Sequence, residues 1–205
     1  MKLFYSPGSC SLASHIALEE AGADYEAVRI DLRAGDQLKP EFLALNPNGR
    51  VPALVTARGV ITETPAILAF VAQTHPAVRL ASPDDPFEFA RLQAFTSYLC
   101  STVHPAFAHR RRGYRWADEE SSFEDMRRKA PSVVGTCFQL IDDTLLAGPW
   151  VMGEAYSIAD PYLFAVASWL GEVDLDIASF PKVAAHFARM MRRPAVGAVL
   201  AREAA

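Results

Sequence analysis

The sequence has 205 residues, of which 51% are apolar and 21% are charged, a composition that excludes disordered and fibrous proteins. A chain of this length buries enough apolar surface to fold as one or two domains without disulfide or metal staples. Acidic side chains outnumber basic ones by 24 to 20, and the net charge of −4 disfavours a dedicated nucleic-acid-binding protein. The apolar stretches are far shorter than a membrane span, so no membrane association is expected.

The amino terminus and the cysteines predict a cytoplasmic protein. The opening MKLFYSPGSC has one lysine and a short apolar run, so it lacks the long apolar segment of a signal peptide. The cysteines Cys10, Cys100 and Cys137 are too few, and odd in number, for a disulfide framework. Their spacing does not fit a zinc site, and no metal is expected.

The first 78 residues alternate short extended and helical segments. In chain order the pattern predicts a strand at 2–5, a helix at 11–21, a strand at 25–30, a short helix at 39–45, strands at 51–56 and 60–62, and a helix at 64–74. A strand–helix–strand unit pairs its strands in parallel, whereas a hairpin pairs them antiparallel. We therefore expect an α/β domain over residues 1–78, with a mixed sheet of about four strands.

Prolines and small polar residues punctuate residues 79–86, as is typical of a linker between domains. Beyond it the pattern predicts helices at 87–107, 119–144, 158–170 and 182–192, and a short one at 195–201. We therefore expect an all-helical domain over residues 87–205. Ser157 and Asp160 have the spacing of a capping box, which we assign to helix folding rather than to catalysis.

Cys10 is the first candidate for chemistry. It follows a predicted strand and a Pro-Gly turn, and stands at the first turn of a helix, where free backbone amides and the helix dipole favour an anion. Such a position lowers the pKa of a thiol, and the flanking Ser9 and Ser11 are expected to donate hydrogen bonds to the sulfur anion. The alternative is a small buried residue in a tight turn. Cys100 and Cys137 lie within helical patterns and are expected to be inert.

Two further motifs suit a peptide-like ligand. Pro52 begins a strand, and a cis bond before it would turn the Val51 backbone outward to pair with a ligand, although base rates favour a trans proline. Thr64 is predicted to cap the next helix, whose N-terminus suits a carboxylate, while Glu63 would meet an ammonium group. The alternative is that Thr64 only caps the helix and Glu63 only faces solvent.

These motifs, in this order, resemble the thioredoxin-like domain of the glutathione transferases, and the helical second half fits the same family. The similarity to the bacterial beta class spans nearly the whole chain, through MKLFYSPGSCSLASHIALEEAG, NPNGRVPAL, ITETPAI, STVH and GEAYSIAD. The resemblance implies a thioredoxin-like domain that binds glutathione as a co-substrate, without a metal. It also implies a helical domain that contributes the pocket for a hydrophobic electrophile, and a homodimer.

The resemblance also implies roles for individual residues. Cys10 would lie beside the glutathione sulfur, and His104 would reach over from the helical domain towards both sulfurs. Val51, before a cis Pro52, would hold the cysteinyl backbone, and the γ-glutamyl end would lie against Glu63 and Thr64. The candidates for catalysis are Cys10, His104, Ser9 and Ser11, and those for glutathione binding are Cys10, Arg33, Arg50, Val51, Pro52, Glu63, Thr64, Ser97 and His104.

Three positions depart from the usual pattern of the family. Pro105 and Ala34 stand where basic residues are common, and Ser97 stands where an asparagine is common. The favoured function is a transferase in which the glutathione thiolate attacks an apolar electrophile or a disulfide. The departures motivate an alternative, a non-catalytic binding protein of the same fold. A glutathione-dependent thiol oxidoreductase is a third interpretation, in which glutathione resolves the disulfide because no second cysteine follows Cys10 at C-x-x-C spacing.

The helical half offers fewer candidates. Four aromatic residues are assigned either to an apolar pocket for the second substrate or to the core: Phe107, Tyr114, Trp116 and Trp169. The basic runs at 109–112 and 127–129 are predicted to be solvated surface rather than a nucleic-acid site, because aromatic residues do not interleave with them. The first run follows His104 closely, where it would attract an anionic co-substrate to the mouth of the cleft.

Overall fold

A computed structural model of the protein describes residues 1–81 and 85–205. Its first part contains strands β1 (Lys2–Tyr5), β2 (Glu26–Arg29), β3 (Ala53–Thr56) and β4 (Gly59–Thr62), and helices α1 (Ser11–Glu20), α2 (Pro40–Leu43) and α3 (Thr64–Thr74). The strand order is β2-β1-β3-β4, with β1 and β2 parallel and the other neighbours antiparallel. The predicted mixed four-stranded sheet is therefore confirmed.

Alternating side chains give the sheet two apolar faces. Leu3 and Leu54 are fully buried on the face that packs against α1 and α3, where they meet Ile16 and Leu68. Burying each of these side chains contributes about 1.5–3 kcal/mol. The opposite face carries a smaller cluster of Ile30, Phe42, Val51 and Ala53. Because the strands are central to both clusters, the turns at their ends are held at fixed positions.

The second part of the chain is helical. Its helices are α4 (Pro86–Tyr98), α5 (His104–Arg111), α6 (Glu120–Leu140), α7 (Ala159–Ala167), α8 (Pro181–Met190) and α9 (Pro194–Ala204). A π-helical turn at Leu99–Val103 joins α4 to α5, so the single helix predicted at 87–107 is interrupted just before His104. In the described parts of the chain, no helix combines the length and the hydrophobicity needed to cross a membrane.

The segment between the two parts is partly anchored. Leu80 is buried, and its carbonyl accepts a hydrogen bond from the Ile158 amide at 2.8 Å. Asp85 caps α4, because its carboxylate accepts from the amides of Phe87 and Glu88 at 3.0 and 3.1 Å. Ser82, Pro83 and Asp84, on which the linker prediction partly rests, lie outside the described residues, and the boundary at 79–86 stays a prediction.

Asp160 organises the start of the buried helix α7. Its carboxylate accepts from the amide of Ser157 at 2.7 Å and from that of Val151 at 2.8 Å, and it lies 3.0 Å from His186 Nε2. The Ser157 hydroxyl in turn accepts from the Ala159 amide at 3.3 Å. Ser157 and Asp160 thus bond reciprocally as the predicted capping box requires, but Ile158, not Ser157, occupies the cap position of α7. The Asp160 carboxylate also reaches a neighbouring loop and α8.

Candidate functional site

Residues of the helical part of the protein hydrogen-bond to the turn that carries Cys10. Gly8 has a φ of 68°, which a residue without a side chain adopts readily. The Gly8 amide donates to Glu203 Oε2 at 3.2 Å, and the Gly8 carbonyl accepts from Trp169 Nε1 at 2.8 Å. Helix α9 and the segment after α7 thus position the residues between β1 and α1. Cys10 occupies the cap position of α1, at the end of this turn.

The Cys10 thiol is partly buried, with Sγ 3.5 Å from the Val51 carbonyl oxygen, to which it donates. Burial raises the pKa of Cys10 and outweighs the hydroxyl of Thr64 and the charge of Arg112, which both lower it. The prediction that the helix N-terminus lowers the pKa of this thiol is therefore wrong. The physical reason is that removing water from the sulfur destabilises the thiolate more than the nearby hydrogen-bond donor and positive charge stabilise it.

Ser9 and Ser11 stabilise the turn rather than the sulfur. Ser11 is fully buried, and its hydroxyl lies 2.7 Å from the Ser9 hydroxyl, accepts from the Ser6 amide at 3.1 Å and lies 3.2 Å from the Ser6 carbonyl. In the described chain neither hydroxyl bonds the sulfur of Cys10. The prediction of two serine donors to a thiolate is wrong, because these groups satisfy the backbone of the turn.

The Val51-Pro52 peptide bond is cis, as the family resemblance implies. Val51 is buried, and its carbonyl faces the Cys10 thiol. The preceding segment is fixed by Asn46, whose side-chain amide donates to the Arg50 carbonyl at 2.7 Å. The Arg50 side chain itself is exposed at the edge of this segment.

The start of α3 also acts on Cys10, through the Thr64 hydroxyl. We call the region of Cys10, Val51 and Thr64 the groove. Thr64 is the first helical residue rather than the predicted cap, and Glu63 takes the cap position with a φ of 69°. A left-handed backbone at a non-glycine residue costs about 1–3 kcal/mol and persists only where its surroundings fix it. Thr64 is buried, whereas Glu63 is exposed. Burial and then the Glu63 charge raise the pKa of Cys100, and the Glu63 charge also acts to raise that of Cys10.

His104 begins α5 directly after the π-helical turn. Its ring centroid lies 5.0 Å from that of Trp169, which also holds Gly8. Burial, and then the charges of three arginines, lower the pKa of His104 to about 4. The three are Arg112, Arg50 and Arg115. His104 is therefore uncharged at neutral pH.

The remaining candidates lie at exposed or partly buried positions. Ser97 is exposed on α4, one turn before Cys100. Arg33 is exposed after β2, and its backbone amide is held by the Asp31 carboxylate at 2.8 Å. Cys100 is partly buried in the π-helical turn. Burial raises the pKa of Cys100, in keeping with the sequence-based expectation that this cysteine is inert.

The four aromatic candidates separate into two pairs. Phe107 and Trp169 are buried and meet edge to face at 5.5 Å, so they belong to the core. Tyr114 and Trp116 are 64% and 48% exposed, and Trp116 stacks on His109 at 4.2 Å. Of the four aromatic residues assigned to the pocket or to the core, only Tyr114 and Trp116 are exposed and remain candidates for contact with the second substrate. Within residues 1–81 and 85–205, no group of three His, Cys, Asp or Glu side chains is placed to hold a metal ion.

Comparison with known proteins identifies matches over both parts of the chain. Residues 1–73 match the family described as "Glutathione S-transferase, N-terminal domain", and residues 108–194 match "Glutathione S-transferase, C-terminal domain". The sequence is 32% identical over 209 residues to glutathione S-transferase GstA of Escherichia coli O157:H7, an alignment that covers 99% of this chain and 98% of that protein.

Two solved structures are similar over nearly their whole length. A glutathione transferase homologue from Sulfitobacter with bound glutathione is 42% identical, with a TM-score of 0.95, covering 98% of this chain and 97% of that chain. The bacterial beta class glutathione S-transferase of Sphingomonas chungbukensis is 38% identical, with a TM-score of 0.87, covering 99% and 98% of the two chains. The thioredoxin-like fold and the beta-class resemblance are thereby confirmed.

Proposed function

Because this chain belongs to the glutathione S-transferase family, we propose that it is an enzyme that activates the thiol of glutathione for attack on an electrophilic carbon. One observation carries the proposal. The Cys10 thiol meets the Val51 carbonyl at 3.5 Å and is also influenced by the Thr64 hydroxyl and the Glu63 carboxylate. A sulfur, a backbone carbonyl and a helix N-terminus thus share the groove, in the order that a γ-glutamyl-cysteinyl peptide requires.

The groove suggests how glutathione would bind. The γ-glutamyl carboxylate suits the free amides at the N-terminus of α3, and its ammonium group suits Glu63. The cysteinyl backbone would pair with Val51 as an added strand pairs with a sheet edge. Arg33 and Arg50, which are both exposed, are the candidates for the glycyl carboxylate. Ser97 and His104 would border the ligand from the helical side.

The high pKa of Cys10 indicates the chemistry of this site. A protonated thiol donates a hydrogen bond, so Cys10 would stabilise the glutathione thiolate as its neighbour rather than act as the nucleophile. With a pKa of about 4, His104 is too weak a base to remove a thiol proton, and we assign it to positioning. In the reaction a carbon–sulfur bond forms, the leaving group departs with its electron pair, and the thiol proton passes to solvent.

Titration calorimetry with glutathione tests the proposal. Glu63→Ala should weaken binding by about tenfold or more, since it removes a charge-assisted contact to the ammonium group. Glu26→Ala is the matched control. Glu26 is an exposed carboxylate at the start of β2, where it pairs with Lys2 of β1, away from the groove. Wild-type protein should also conjugate 1-chloro-2,4-dinitrobenzene. Binding without any turnover would support the non-catalytic alternative, and absence of binding would contradict both.

Thiol transfer is the second candidate, because Cys10 is free and partly exposed within the groove. A Cys10 thiolate would attack glutathione disulfide, form a mixed disulfide and release a glutathione thiolate. Intact mass after incubation with glutathione disulfide separates the two functions. A rapid adduct at pH 7 that is lost in Cys10→Ala, but kept in Cys100→Ala, would favour transfer. A slow adduct that forms only at high pH would favour conjugation.

Two further statements belong to this proposal. The protein would be cytoplasmic, since its three free cysteines fit a reducing compartment. It would also form a homodimer, with the thioredoxin-like domain of one copy facing the helical domain of the other. Sedimentation velocity should then give about twice the chain mass of 22.4 kDa, and a single species at the chain mass would contradict this part.

A further inference from the structure

The helical part of the protein contains an open cavity of about 420 Å³ that shares no residue with the groove. One wall is a face of α8, where Lys182, Ala185 and Arg189 follow one another at helical spacing. The other wall is the loop 146–149, in which Leu146 is 3% exposed and supplies apolar surface. We call this space the α8 cavity.

The loop wall of the α8 cavity is fixed by its own backbone. The Trp150 amide donates to the Gly153 carbonyl at 3.0 Å, and the Gly153 amide donates to the Trp150 carbonyl at 3.1 Å. Gly148 approaches Gly153 so closely that a Cβ at position 148 would lie 2.9 Å from the Gly153 carbonyl oxygen. The Val151 amide is bound by the buried Asp160 carboxylate. A cavity with such a fixed wall loses little conformational entropy when a ligand binds.

Arg189 is held in one orientation in the α8 cavity and keeps free donors. Its Nη1 donates to the Pro149 carbonyl at 2.6 Å, and its guanidinium carbon lies 5.4 Å from the centre of the Trp150 ring. A guanidinium group has five N–H donors, and the others of Arg189 have no acceptor in the described part of the chain. Arg193, on the same indole ring, instead pairs with the Glu20 carboxylate. The positive charge of Arg189 is therefore left without a carboxylate.

Lys182 adds a second positive charge, about two turns from Arg189 along α8. Its Nζ donates to a backbone oxygen, the Asp143 carbonyl, at 3.4 Å. The neighbouring carboxylates have other donors: Asp142 accepts from the Val183 amide at 2.8 Å, and Asp143 accepts from the Gln139 side chain at 2.9 Å. Although the chain has a net charge of −4, the residues that line the α8 cavity comprise two cations and no anion.

We propose that the α8 cavity binds a small organic acid, with its carboxylate on Arg189 and its apolar body against Leu146 and Ala185. The paired donors of a guanidinium group match the two oxygens of a carboxylate. Arg189 is partly buried, so an anionic partner offsets the loss of water around its charge. A volume of about 420 Å³ also suits a small molecule. The inference concerns binding alone and does not depend on the proposed function.

Titration calorimetry with 2-naphthoate and its neutral analogue 2-naphthamide tests the inference. Wild-type protein should bind the acid about tenfold more tightly than the amide, and Arg189→Gln should abolish this preference, as expected for loss of a charge-assisted hydrogen bond. Lys182→Gln should weaken binding of the acid by about two- to threefold, because this charge is exposed. Arg192→Gln is the matched control, with the same change of charge at an exposed position outside the cavity, and should affect neither compound.

A further variant tests the location. Ala185→Leu would fill the apolar part of the α8 cavity without changing its charge, and should weaken binding of both compounds. Ala185 and Lys182 are exposed, so these two variants still decide the inference if Arg189→Gln unfolds.

Four results would overturn the inference: equal binding of the two compounds by wild-type protein, an unchanged preference in Arg189→Gln, the same loss in Arg192→Gln, or no loss in Ala185→Leu. Displacement of the acid by saturating glutathione would place it in the groove and would also overturn the inference, while leaving the proposed function intact. Absence of glutathione binding, with the acid still bound as described, would contradict the proposed function alone.

Discussion

Removal of the Glu203 carboxylate is expected to loosen the turn that carries Cys10. This carboxylate is 6% exposed, accepts from the Gly8 amide at 3.2 Å and lies 2.9 Å from Nδ1 of the fully buried His15. Glu203→Ala leaves the buried His15 ring without its carboxylate partner, at about 1–3 kcal/mol, and removes the partly buried hydrogen bond from the Gly8 amide, at about 0.5–1.5 kcal/mol. We therefore expect the free energy of unfolding to fall by about 3 kcal/mol. For a chain of this size, the melting temperature should fall by roughly 6–12 °C.

Urea unfolding and thermal melting measure this loss, and Glu26→Ala provides the control. Glu26 is 58% exposed in its pair with Lys2, and such surface pairs contribute about 0–1 kcal/mol. Glu203→Ala should in addition weaken glutathione binding, which the control should leave unchanged. Deletion of residues 203–205 should reproduce both effects. A loss of stability no larger than that of Glu26→Ala would refute the reasoning, because the contacts of Glu203 with Gly8 and His15 would then not stabilise the fold.

Three further predictions follow from buried groups. Because burial raises the pKa of Cys10, its thiol should react with iodoacetamide more slowly than free cysteine at pH 7. The reaction rate should increase only at pH values above 9, and a fast reaction at pH 7 would contradict this. The pKa of His104 is about 4 in the folded protein against an ordinary 6.5, so the unfolded chain takes up this proton first as the pH falls. The free energy of unfolding should therefore fall by about 1–2 kcal/mol between pH 7 and pH 5, and a His104→Gln variant that keeps the whole pH dependence would be the contrary result. Asp160→Ala should lower the free energy of unfolding by about 3 kcal/mol or more, since it removes four buried contacts. A loss below about 1 kcal/mol in urea unfolding would be inconsistent with them.

The sequence predicted most of the fold because its signals are local. β1 at Lys2–Tyr5 and α3 at Thr64–Thr74 have the predicted bounds, since turn residues and prolines punctuate a regular apolar periodicity at both places. The interruption between α4 and α5 was not predicted. A π-helical turn changes the hydrogen bonding of a few residues while leaving the apolar pattern of a helix nearly unchanged.

The site was only partly predictable, for a different reason. The residue pattern around Cys10 suggested a reactive position, but its pKa depends on the groups that enclose the sulfur, and these come from distant segments. Gly8 is 195 positions from Glu203 and 161 positions from Trp169, so neither contact has a local signal. The cis bond before Pro52 was inferred from a family resemblance, since its residue type alone favours the trans form.

A crystal structure at saturating glutathione tests the central claim most directly. The account predicts the tripeptide in the groove between Val51 and Thr64, with its sulfur within hydrogen-bonding distance of Cys10 Sγ and no bond between the two sulfurs. A tripeptide bound elsewhere, or a covalent disulfide to Cys10 under reducing conditions, would contradict the account.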